Sequence, residues 1–486
     1  MIYRLRPYQE DCVKSISDYI NSDRRDPVLI VAPVAAGKSI LIAEAARLMG
    51  DKTLVLQPSR ELLTQNHDKI TSYGIPATIY SASCGKKELS NMIYATLGSI
   101  KKVVGQLKEM GIRNVLIDEA HAGYSPEDGS EFMTFMNELK PRKVIGFTAT
   151  PCRLKNMSIG QTSYSQLNFI TRMRPVYFKN LIHVIQVEEM IRQGFWTPLK
   201  YETWDFNGDA LKLNSNGSEY TAESISEAVR KNGLNNLILR RLMVLKDVCR
   251  SILVFMDSVE SCNTAAEWMN AKICAGMAEV VHGGTPKKQR EAIVERFKSG
   301  KTKVVFNYSA LGTGFDHPGL DCVIVGRPTF SFSSFYQWLG RAVRIKDGKD
   351  SALVVDCCNN SSRFGDIRKL SIENYKGYGW GMFIGDKLIT NIPMGDKVTK
   401  TDLDIKAAKK DRRRGLAQGI TASPVPGRPD HPLGSTVMTF GKYSGWMLHS
   451  IPVSYFKFIN KTFDWDNDRN KEIKEYIDFL IKNNRL

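Results

Sequence analysis

The fold is decided by the stretch Val28-Leu-Ile-Val-Ala-Pro-Val-Ala-Ala-Gly-Lys-Ser39, which joins a short apolar run to an apolar, helix-like segment that stops at Gly50. A strand, a loop of small residues ending in Gly-Lys-Ser, and a helix are together the context expected of a phosphate-binding loop. The turn into the helix directs unpaired backbone N–H groups and the positive end of the helix dipole at one spot. The stretch therefore predicts a site for the phosphates of a nucleotide.

Each residue type in this loop has a physical role. Gly37 lets the backbone approach a phosphate closely. Lys38 would neutralise the terminal phosphates, and the hydroxyl of Ser39 would ligate Mg²⁺. The strict pattern begins with glycine where this chain has Ala32, a position that contributes turn shape rather than charge. The other candidate nucleotide-binding residues of the loop are Pro33, Ala36 and Ile40.

Length and charge limit the possible functions. At roughly 100–200 residues per domain, 486 residues predict two to four domains. The formal net charge is +17, which favours a polyanionic partner, most simply nucleic acid. Solubility alone is the alternative explanation of this charge.

Cysteine usage and hydropathy favour a cytoplasmic protein. The nine cysteines are scattered and form no Cys-x-x-Cys pair, so neither zinc nor a disulfide framework is expected. Reduced thiols fit an intracellular protein. No apolar run approaches 18 residues, and the N-terminus lacks the apolar core of a signal peptide. We therefore expect no membrane partner.

Apolar runs and helical patterns alternate in two blocks of the chain. Such alternation predicts an α/β fold with parallel sheets covered on both faces. We expect a first domain at 1–154, a connector with a possible DNA-contacting element at 155–222, and a second domain at 223–360. The strands predicted in the first domain are Val28–Val31, Thr53–Leu56, 115–117 and 143–147. Those predicted in the second domain are 252–256, 278–281, 303–306, Cys322–Val325 and Ala352–Asp356.

The remainder of the chain has a different composition. Residues 361–432 are expected to form an accessory segment and a basic linker, and residues 433–486 a small C-terminal module. Residues 400–414 hold seven basic and three acidic residues, which suits a phosphate-binding strap or a solvated charge run equally well. In the module, Lys442, Tyr443 and Trp446 could clamp a nucleic-acid end or belong to a small core.

A second motif, Val115-Leu-Ile-Asp-Glu-Ala-His121, follows the phosphate loop by about 80 residues. Its apolar strand would deliver two carboxylates to the carboxyl edge of a sheet, where α/β proteins bind ligands. Asp118 is expected to hold Mg²⁺, and Glu119 to orient and deprotonate an attacking water. The two motifs together predict an ATPase.

These motifs resemble superfamily 2 helicases. Asp118-Glu-Ala-His121 is the DEAH form of that superfamily's second motif, and further motifs of the series appear in order across residues 4–344. Arg4-Leu-Arg-Pro-Tyr-Gln9 is similar to the adenine-reading element, which implies a base contact for Gln9. Three further stretches of the first block match the series: Gln57-Pro-Ser-Arg-Glu-Leu62, Tyr94-Ala-Thr-Leu-Gly98 and Phe147-Thr-Ala-Thr-Pro151.

The first-block motifs imply contacts on the nucleic-acid side. The first two of those stretches resemble the motifs that grip a nucleic-acid backbone, and the third resembles the motif that links hydrolysis to domain motion. His121 could in addition couple the nucleotide site to the next domain. The nucleic-acid residues implied are Ser59, Arg60, Thr96, His121 and Thr148.

The second block continues the resemblance. Gly312-Thr-Gly-Phe-Asp316 implies that Gly314 and Asp316 face the nucleotide. Gln337-Trp-Leu-Gly-Arg-Ala-Val-Arg344 supplies Gln337 and two candidate arginine fingers, Arg341 and Arg344. An arginine from the opposite domain completes the charge clamp on the transferring phosphoryl group only when the domains close. The motifs Ile252-Leu-Val-Phe-Met256 and Val281-His-Gly-Gly284 also fit the series.

The resemblance implies two tandem RecA-like domains with parallel sheets, plus a small C-terminal accessory module. The linker phrase Ile191-Arg-Gln-Gly-Phe-Trp-Thr-Pro-Leu-Lys200 is similar to that of DNA-acting members of the superfamily, including RadD-like, RecG/UvsW-like and restriction-translocase proteins. We therefore expect a stand-alone bacterial or phage enzyme of the bacterial cytoplasm or nucleoid. It would use ATP and Mg²⁺ to unwind or branch-migrate forked DNA in replication, recombination or repair, with proteins of those processes as further partners. The alternatives are an RNA helicase and an ATP-switched loader that binds nucleic acid without separating strands.

Overall fold

A computed structural model describes residues 4–159, 162–311, 315–375, 378–407, 432–439, 443, 447–462 and 470–483. The chain divides into two compact units, Met1–Lys400 and Thr401–Leu486. Gly314, Lys442, Trp446 and residues 408–414 lie outside the described residues. Within the described residues, no helix is long and apolar enough to cross a bilayer.

The first unit alternates strands and helices along most of its length. Its strands are β1 (Val28–Val31), β2 (Thr53–Leu56), β3 (Thr78–Ser81), β4 (Lys86–Lys87), β5 (Met92–Ala95), β6 (Asn114–Ile117), β7 (Lys143–Thr148), β8 (Cys152–Ile159), β9 (Thr162–Phe169), β10 (Asn180–Val184), β11 (Leu199–Thr203), β12 (Ile252–Phe255), β13 (Ala278–His282), β14 (Val304–Tyr308), β15 (Cys322–Val325), β16 (Ala352–Asp356), β17 (Leu370–Tyr375), β18 (Gly379–Ile384), β19 (Lys387–Leu388) and β20 (Val398–Thr399).

Its helices are α1 (Pro7–Asn21), α2 (Lys38–Met49), α3 (Arg60–Thr71), α4 (Leu97–Ile100), α5 (Val104–Glu109), α6 (Glu131–Leu139), α7 (Val187–Arg192), α8 (Ala222–Lys231), α9 (Leu234–Val248), α10 (Val259–Lys272), α11 (Lys287–Lys298), α12 (Phe332–Leu339) and α13 (Asn360–Phe364).

Two parallel sheets organise this unit. The first has the strand order β10-β1-β7-β6-β2-β5-β3-β4, in which only the β3–β4 pair is antiparallel. The second has the order β11-β16-β15-β12-β14-β13 and is parallel throughout. The central strands β1, β2, β6 and β12 are buried at every residue, as expected of parallel sheets covered by helices on both faces. The predicted α/β fold with two tandem RecA-like domains is confirmed.

The segment 155–222 is more closely integrated than a connector. Strand β10 pairs in parallel with β1 at the edge of the first sheet, and β11 pairs with β16 at the edge of the second. The second domain therefore begins before residue 223. The polar composition of the segment does not reveal these strands, because an edge strand is covered less completely than a central strand and needs fewer apolar residues. Strand β10 is only partly buried.

A third, antiparallel sheet follows the second domain and has the order β17-β18-β19-β20. It contacts the β8–β9 hairpin of the first domain: the side chain of Asn391 accepts from Phe169 N at 3.1 Å, and Met394 N donates to Ser165 O at 2.8 Å. The first part of the predicted accessory segment therefore packs within the first unit.

The second unit, described by itself, is a small helical module. Among its described residues, 401–407 are helical, and two later helices are α14 (Val453–Thr462) and α15 (Lys471–Lys482). They enclose a separate apolar cluster that includes Phe456 and Tyr476, and Tyr443 packs against this cluster. For Tyr443 the structure therefore favours the alternative of a place at a small core.

Candidate nucleotide site

The phosphate loop lies between β1 and α2, at the carboxyl edge of the first sheet. Gly37 precedes α2 with φ at +79°, a left-handed conformation that glycine adopts without strain. A Cβ at this position would lie 2.5 Å from the side-chain nitrogen of Gln9. The backbone angle therefore favours glycine here, and any side chain at this position would also displace the Gln9 amide from the loop.

Lys38 and the two acidic residues of the second motif meet directly. Lys38 Nζ lies 2.7 Å from Asp118 Oδ1 and also forms an ion pair with Glu119. Burial lowers the pKa of Lys38, but the charges of Asp118 and Glu119 outweigh burial and leave this pKa raised. Lys38 therefore stays protonated and can transfer its charge from these carboxylates to an incoming phosphate.

Asp118 is a buried carboxylate, with a side chain only 1% exposed. Burial raises its pKa, and the charge of Lys38 acts in the opposite direction. Its two oxygens accept hydrogen bonds from different elements. Oδ1 accepts from the backbone N–H of Glu119 at 2.8 Å, and Oδ2 accepts from Asn66 Nδ2 at 3.0 Å.

Asn66 is a site residue that the sequence analysis missed. It lies on α3, the helix that begins at the predicted nucleic-acid residue Arg60, and it is 1% exposed. The buried positions of α3 are Leu63, Asn66 and Ile70, a spacing that places an asparagine on the apolar face of a helix. The available signal in the sequence was this spacing of Asn66 with Leu63 and Ile70. It places the amide in the protein interior, where amides are almost always hydrogen-bonded.

Glu119 and His121 begin a chain of contacts that leads to the second domain. His121 Nδ1 lies 3.4 Å from Glu119 Oε2 and 2.8 Å from Thr148 Oγ1. Thr148 Oγ1 accepts from Thr150 N at 3.0 Å, and Thr150 Oγ1 accepts from Ser333 Oγ on α12 at 3.1 Å. Burial lowers the pKa of His121 to about 3, so the imidazole is neutral at physiological pH.

This series of contacts corrects the prediction for Thr148 and supports the prediction that His121 couples the two domains. Thr148 is fully buried and hydrogen-bonded within the protein, so a direct contact of Thr148 with nucleic acid is wrong. The side chain of His121 is 9% exposed, which also leaves little surface for such a contact. The contacts instead favour the prediction that His121 couples the nucleotide site to the next domain.

Gln9 lies against the phosphate loop and is 2% exposed. Its Nε2 donates to Ala36 O at 2.9 Å, and its Oε1 accepts from Arg6 N at 3.0 Å. Each of these side-chain atoms retains one further hydrogen-bonding position. The base contact of Gln9 therefore remains a prediction.

The second domain supplies the opposite wall of the site. A cleft of about 270 Å³ lies between the two domains. Gly340 packs directly on Val34 of the phosphate loop, because a Cβ at Gly340 would lie 2.6 Å from Val34 Cβ. The predicted residues that line this cleft are Pro33, Gly37, Lys38, Ser39, Ile40, Glu119, Asp316, Gln337, Arg341 and Arg344.

The backbone that directly follows residues 312–314, which lie outside the described residues, holds Arg341 and Arg344 at the cleft. Both guanidinium groups donate to Phe315 O, at 2.6 Å from Arg341 and 2.9 Å from Arg344. Arg344 also pairs with Asp316 at 2.6 Å. Burial, and then the charge of Arg344, lowers the pKa of Arg341 to about 9, so it remains charged at neutral pH.

The donor set fits Mg²⁺. Ser39 offers a hydroxyl and Asp118 a carboxylate, and Mg²⁺ prefers such oxygen ligands. Among the described residues, no group of three or more His, Cys, Asp or Glu side chains could form a metal cage. Nucleotide-binding sites of this kind hold Mg²⁺ with one or two protein ligands, substrate phosphates and water.

The predicted backbone-contacting residues lie at the carboxyl ends of neighbouring strands. Ser59 caps α3 by accepting from Leu62 N at 3.3 Å, Arg60 is exposed, and Thr96 follows β5. Thr96 Oγ1 lies 3.2 Å from Ser81 Oγ. These polar groups share one edge of the sheet, so their placement is consistent with a path for a phosphate backbone.

Two protein-family models match this chain. Residues 2–153 match "Type III restriction enzyme, res subunit", and residues 235–346 match "Helicase conserved C-terminal domain". The two matches cover the phosphate-loop domain and most of the arginine-bearing domain described above.

Named relatives share this part of the chain. The putative ATP-dependent helicase IRC3 of Saccharomyces cerevisiae is 23% identical, over 74% of this chain and 52% of its own length. The DNA 3'-5' translocase XPB2 of Sulfurisphaera tokodaii is 24% identical, over 72% of this chain and 80% of its own length. The chain thus spans about half the length of the yeast relative.

A solved structure supports the fold. The ATP-dependent Type ISP restriction-modification enzyme LlaBIII bound to DNA superposes with a TM-score of 0.54 at 15% identity. The match covers 73% of this chain and 28% of that protein.

Proposed function

We propose that this chain, which carries the two motor domains of superfamily 2 helicases, is an ATP-hydrolysing DNA helicase or translocase. One observation carries the proposal. Lys38 and Glu119 of the first domain face Gln337, Arg341 and Arg344 of the second across one cleft. A charge clamp divided between two domains makes hydrolysis depend on their closure.

Each side of the cleft has a separate task. Lys38 exchanges its carboxylate partners for the terminal phosphates of ATP. Ser39 and Asp118 would hold Mg²⁺, which neutralises charge on the phosphates. Glu119, released from Lys38, orients the attacking water and accepts its proton. Arg341 and Arg344 stabilise the charge that develops on the transferred phosphoryl group.

Hydrolysis must also be communicated to nucleic acid. The contacts from Glu119 through His121, Thr148 and Thr150 to Ser333 connect the water-activating carboxylate to α12. Helix α12 carries Gln337 and leads into the arginines. Loss of the γ-phosphate therefore changes the packing between the domains, and repeated closure and opening moves them along a strand.

DNA is the favoured substrate, and forked or branched duplex is the favoured form. The relative from Sulfurisphaera tokodaii is named as a DNA translocase, and the net charge of +17 suits any polyanion. We place the activity in unwinding or branch migration during replication, recombination or repair.

The test compares ATP hydrolysis with duplex DNA, forked DNA, single-stranded DNA and RNA. We expect forked DNA to stimulate the wild-type protein most, and Lys38→Ala and Glu119→Gln to abolish stimulated hydrolysis while the fold stays intact. Turnover retained in either variant would overturn the assignment of the site. Greater stimulation by RNA would replace DNA with RNA as the substrate.

Strand displacement separates a helicase from a translocase or loader. A forked duplex with a labelled strand should be separated by the wild-type protein in the presence of ATP. Rapid ATP hydrolysis without displacement would favour translocation along intact duplex, and DNA-independent hydrolysis would contradict both motor functions.

A further inference from the structure

Three consecutive residues between the domains contact three separate parts of the candidate nucleotide site. They are Phe195, Trp196 and Thr197, here called the bridging tripeptide. Gly194, with φ at +73°, ends the turn after α7, and Phe195 N donates to Met190 O at 2.8 Å. The chain then passes between the domains before it enters β11.

Phe195 contacts the segment predicted to read adenine. Its ring centroid lies 5.3 Å from that of Tyr8, in an edge-to-face arrangement, and the Arg6 guanidinium lies 4.6 Å from the same ring. Tyr8 OH in turn donates to Ala36 O in the phosphate loop, at 3.3 Å. Phe195 therefore packs on side chains that hold this loop in place.

Trp196 contacts the phosphate loop itself. The residue is 2% exposed, and its Nε1 donates to Val34 O at 2.9 Å. A buried indole N–H needs such a partner, and the bond fixes a carbonyl inside the loop between Ala32 and Ser39. The ring supplies a rigid, dry contact that a smaller side chain would not reproduce.

Thr197 contacts the arginine-bearing segment. Its backbone N–H donates to Val343 O at 2.8 Å, and its Oγ1 donates to Arg344 O at 2.7 Å. The two bonds hold the backbone at the point where the Arg344 side chain leaves for Phe315 O and Asp316.

We infer that the bridging tripeptide is a positioning element that links the phosphate loop to the arginine-bearing segment, an inference that rests on the proposed function. Neighbouring Cα atoms are about 3.8 Å apart. The loop and the segment therefore cannot shift independently while the bonds from Trp196 and Thr197 both hold. A nucleotide that reshapes the phosphate loop then alters the placement of Arg344 through two adjacent residues. A movement of the arginine-bearing segment is transmitted to the loop by the same route.

Two conservative variants test this inference. Trp196→Phe removes the indole donor to Val34 O and keeps an aromatic ring, and Thr197→Val removes the hydroxyl donor to Arg344 O and keeps the backbone bond. Matched controls lie just beyond, on and after β11. Trp204→Phe removes an indole donor to Glu202 at 2.9 Å, and Thr203→Val removes a hydroxyl contact with Ser361 at 3.1 Å.

The measurements are the Kd for ADP and for a non-hydrolysable ATP analogue, and kcat and KM for DNA-stimulated ATP hydrolysis. We expect Trp196→Phe to weaken nucleotide binding about tenfold, the factor that corresponds to about 1.4 kcal/mol. We expect Thr197→Val to lower kcat about tenfold with Kd nearly unchanged, because it acts on the arginines. The double variant should lose less in kcat/KM than the product of the two single losses, as coupled sites do.

A second readout uses the wild-type protein. Adding the ATP analogue should change the tryptophan emission of the wild-type and Trp204→Phe proteins, and this change should be largely absent in Trp196→Phe. If both bridge variants match their controls within twofold, the inference is overturned while the proposed function stands. If the wild-type protein hydrolyses no ATP, the proposed function fails, and the Kd and emission of Trp196→Phe still decide whether Trp196 positions the loop.

Discussion

The hydrogen bond from Asn66 to Asp118 permits a sharp test of how α3 supports the metal-binding carboxylate. The bond is 3.0 Å long, and both residues are 1% exposed. Asn66→Ala removes the donor and leaves the buried Asp118 Oδ2 without this hydrogen bond. The carboxylate becomes harder to keep ionised, because burial already raises its pKa, and it becomes free to rotate.

The size of the effect follows from the bond. A hydrogen bond to a charged group contributes about 1.5–3 kcal/mol, which corresponds to roughly a 10- to 100-fold change in an equilibrium. Groups that orient a metal ligand typically change metal affinity or activity by a similar factor of about 10–100. We therefore expect the Mg²⁺ concentration that gives half-maximal ATP hydrolysis to rise about 10- to 100-fold.

The assay is a Mg²⁺ titration of DNA-stimulated ATP hydrolysis at fixed ATP. Asn114→Ala is the matched control, because Asn114 is buried at the opposite end of the strand that delivers Asp118 and its side chain donates to Met49 O at 3.4 Å. Asn114→Ala should leave the Mg²⁺ dependence unchanged. A titration of Asn66→Ala that superposes on that of the wild-type protein would refute the positioning role of Asn66.

Two further predictions concern the loop and acid stability. Gly37→Ala should abolish measurable nucleotide binding in a titration with ADP, because its Cβ would meet Gln9 at 2.5 Å and the φ of +79° is unfavourable for alanine; a Kd within threefold of wild type would contradict this. His121 stays neutral in the folded protein down to a pKa of about 3, whereas its unfolded pKa is near 6.5. Stability should therefore fall as pH decreases through this window, by on the order of 2 kcal/mol from His121 at pH 5. Urea unfolding at pH 7.5 and pH 5 should show a smaller loss for His121→Gln, and an equal loss would contradict the assignment.

The sequence was most informative where local pattern and burial agree. The predicted strands Val28–Val31, Thr53–Leu56, Cys322–Val325 and Ala352–Asp356 coincide with observed strands, because central parallel strands are continuous apolar runs. The sequence identifies Gly37 and Lys38 because they belong to one local strand–loop–helix pattern. It identifies Asp118 because that residue directly follows an apolar strand.

Features that depend on long-range packing were harder to predict. The edge strands β10 and β11 have mixed composition, and only their pairing with β1 and β16 shows which sheet each joins. The prediction that Thr148 contacts nucleic acid was wrong because the hydroxyl at a strand end can point outward or inward, and the sequence does not distinguish the two orientations. Asn66 and Trp196 act through partners 52 and 162 residues away. The helical spacing of Asn66 with Leu63 and Ile70 places it on the apolar face of α3, but no local pattern identifies the distant partner of either residue.

Under the proposed function, arginines of the second domain complete an active site built on the first. The most direct measurement is ATP turnover by Arg341→Ala with forked DNA, alongside its Kd for ADP and a surface control, Arg250→Ala, whose parent side chain is 69% exposed. An active site divided between two domains predicts a turnover lower by about 10³-fold or more, the scale of an arginine finger, with a Kd within tenfold of wild type. Turnover within tenfold of the wild-type value would contradict it.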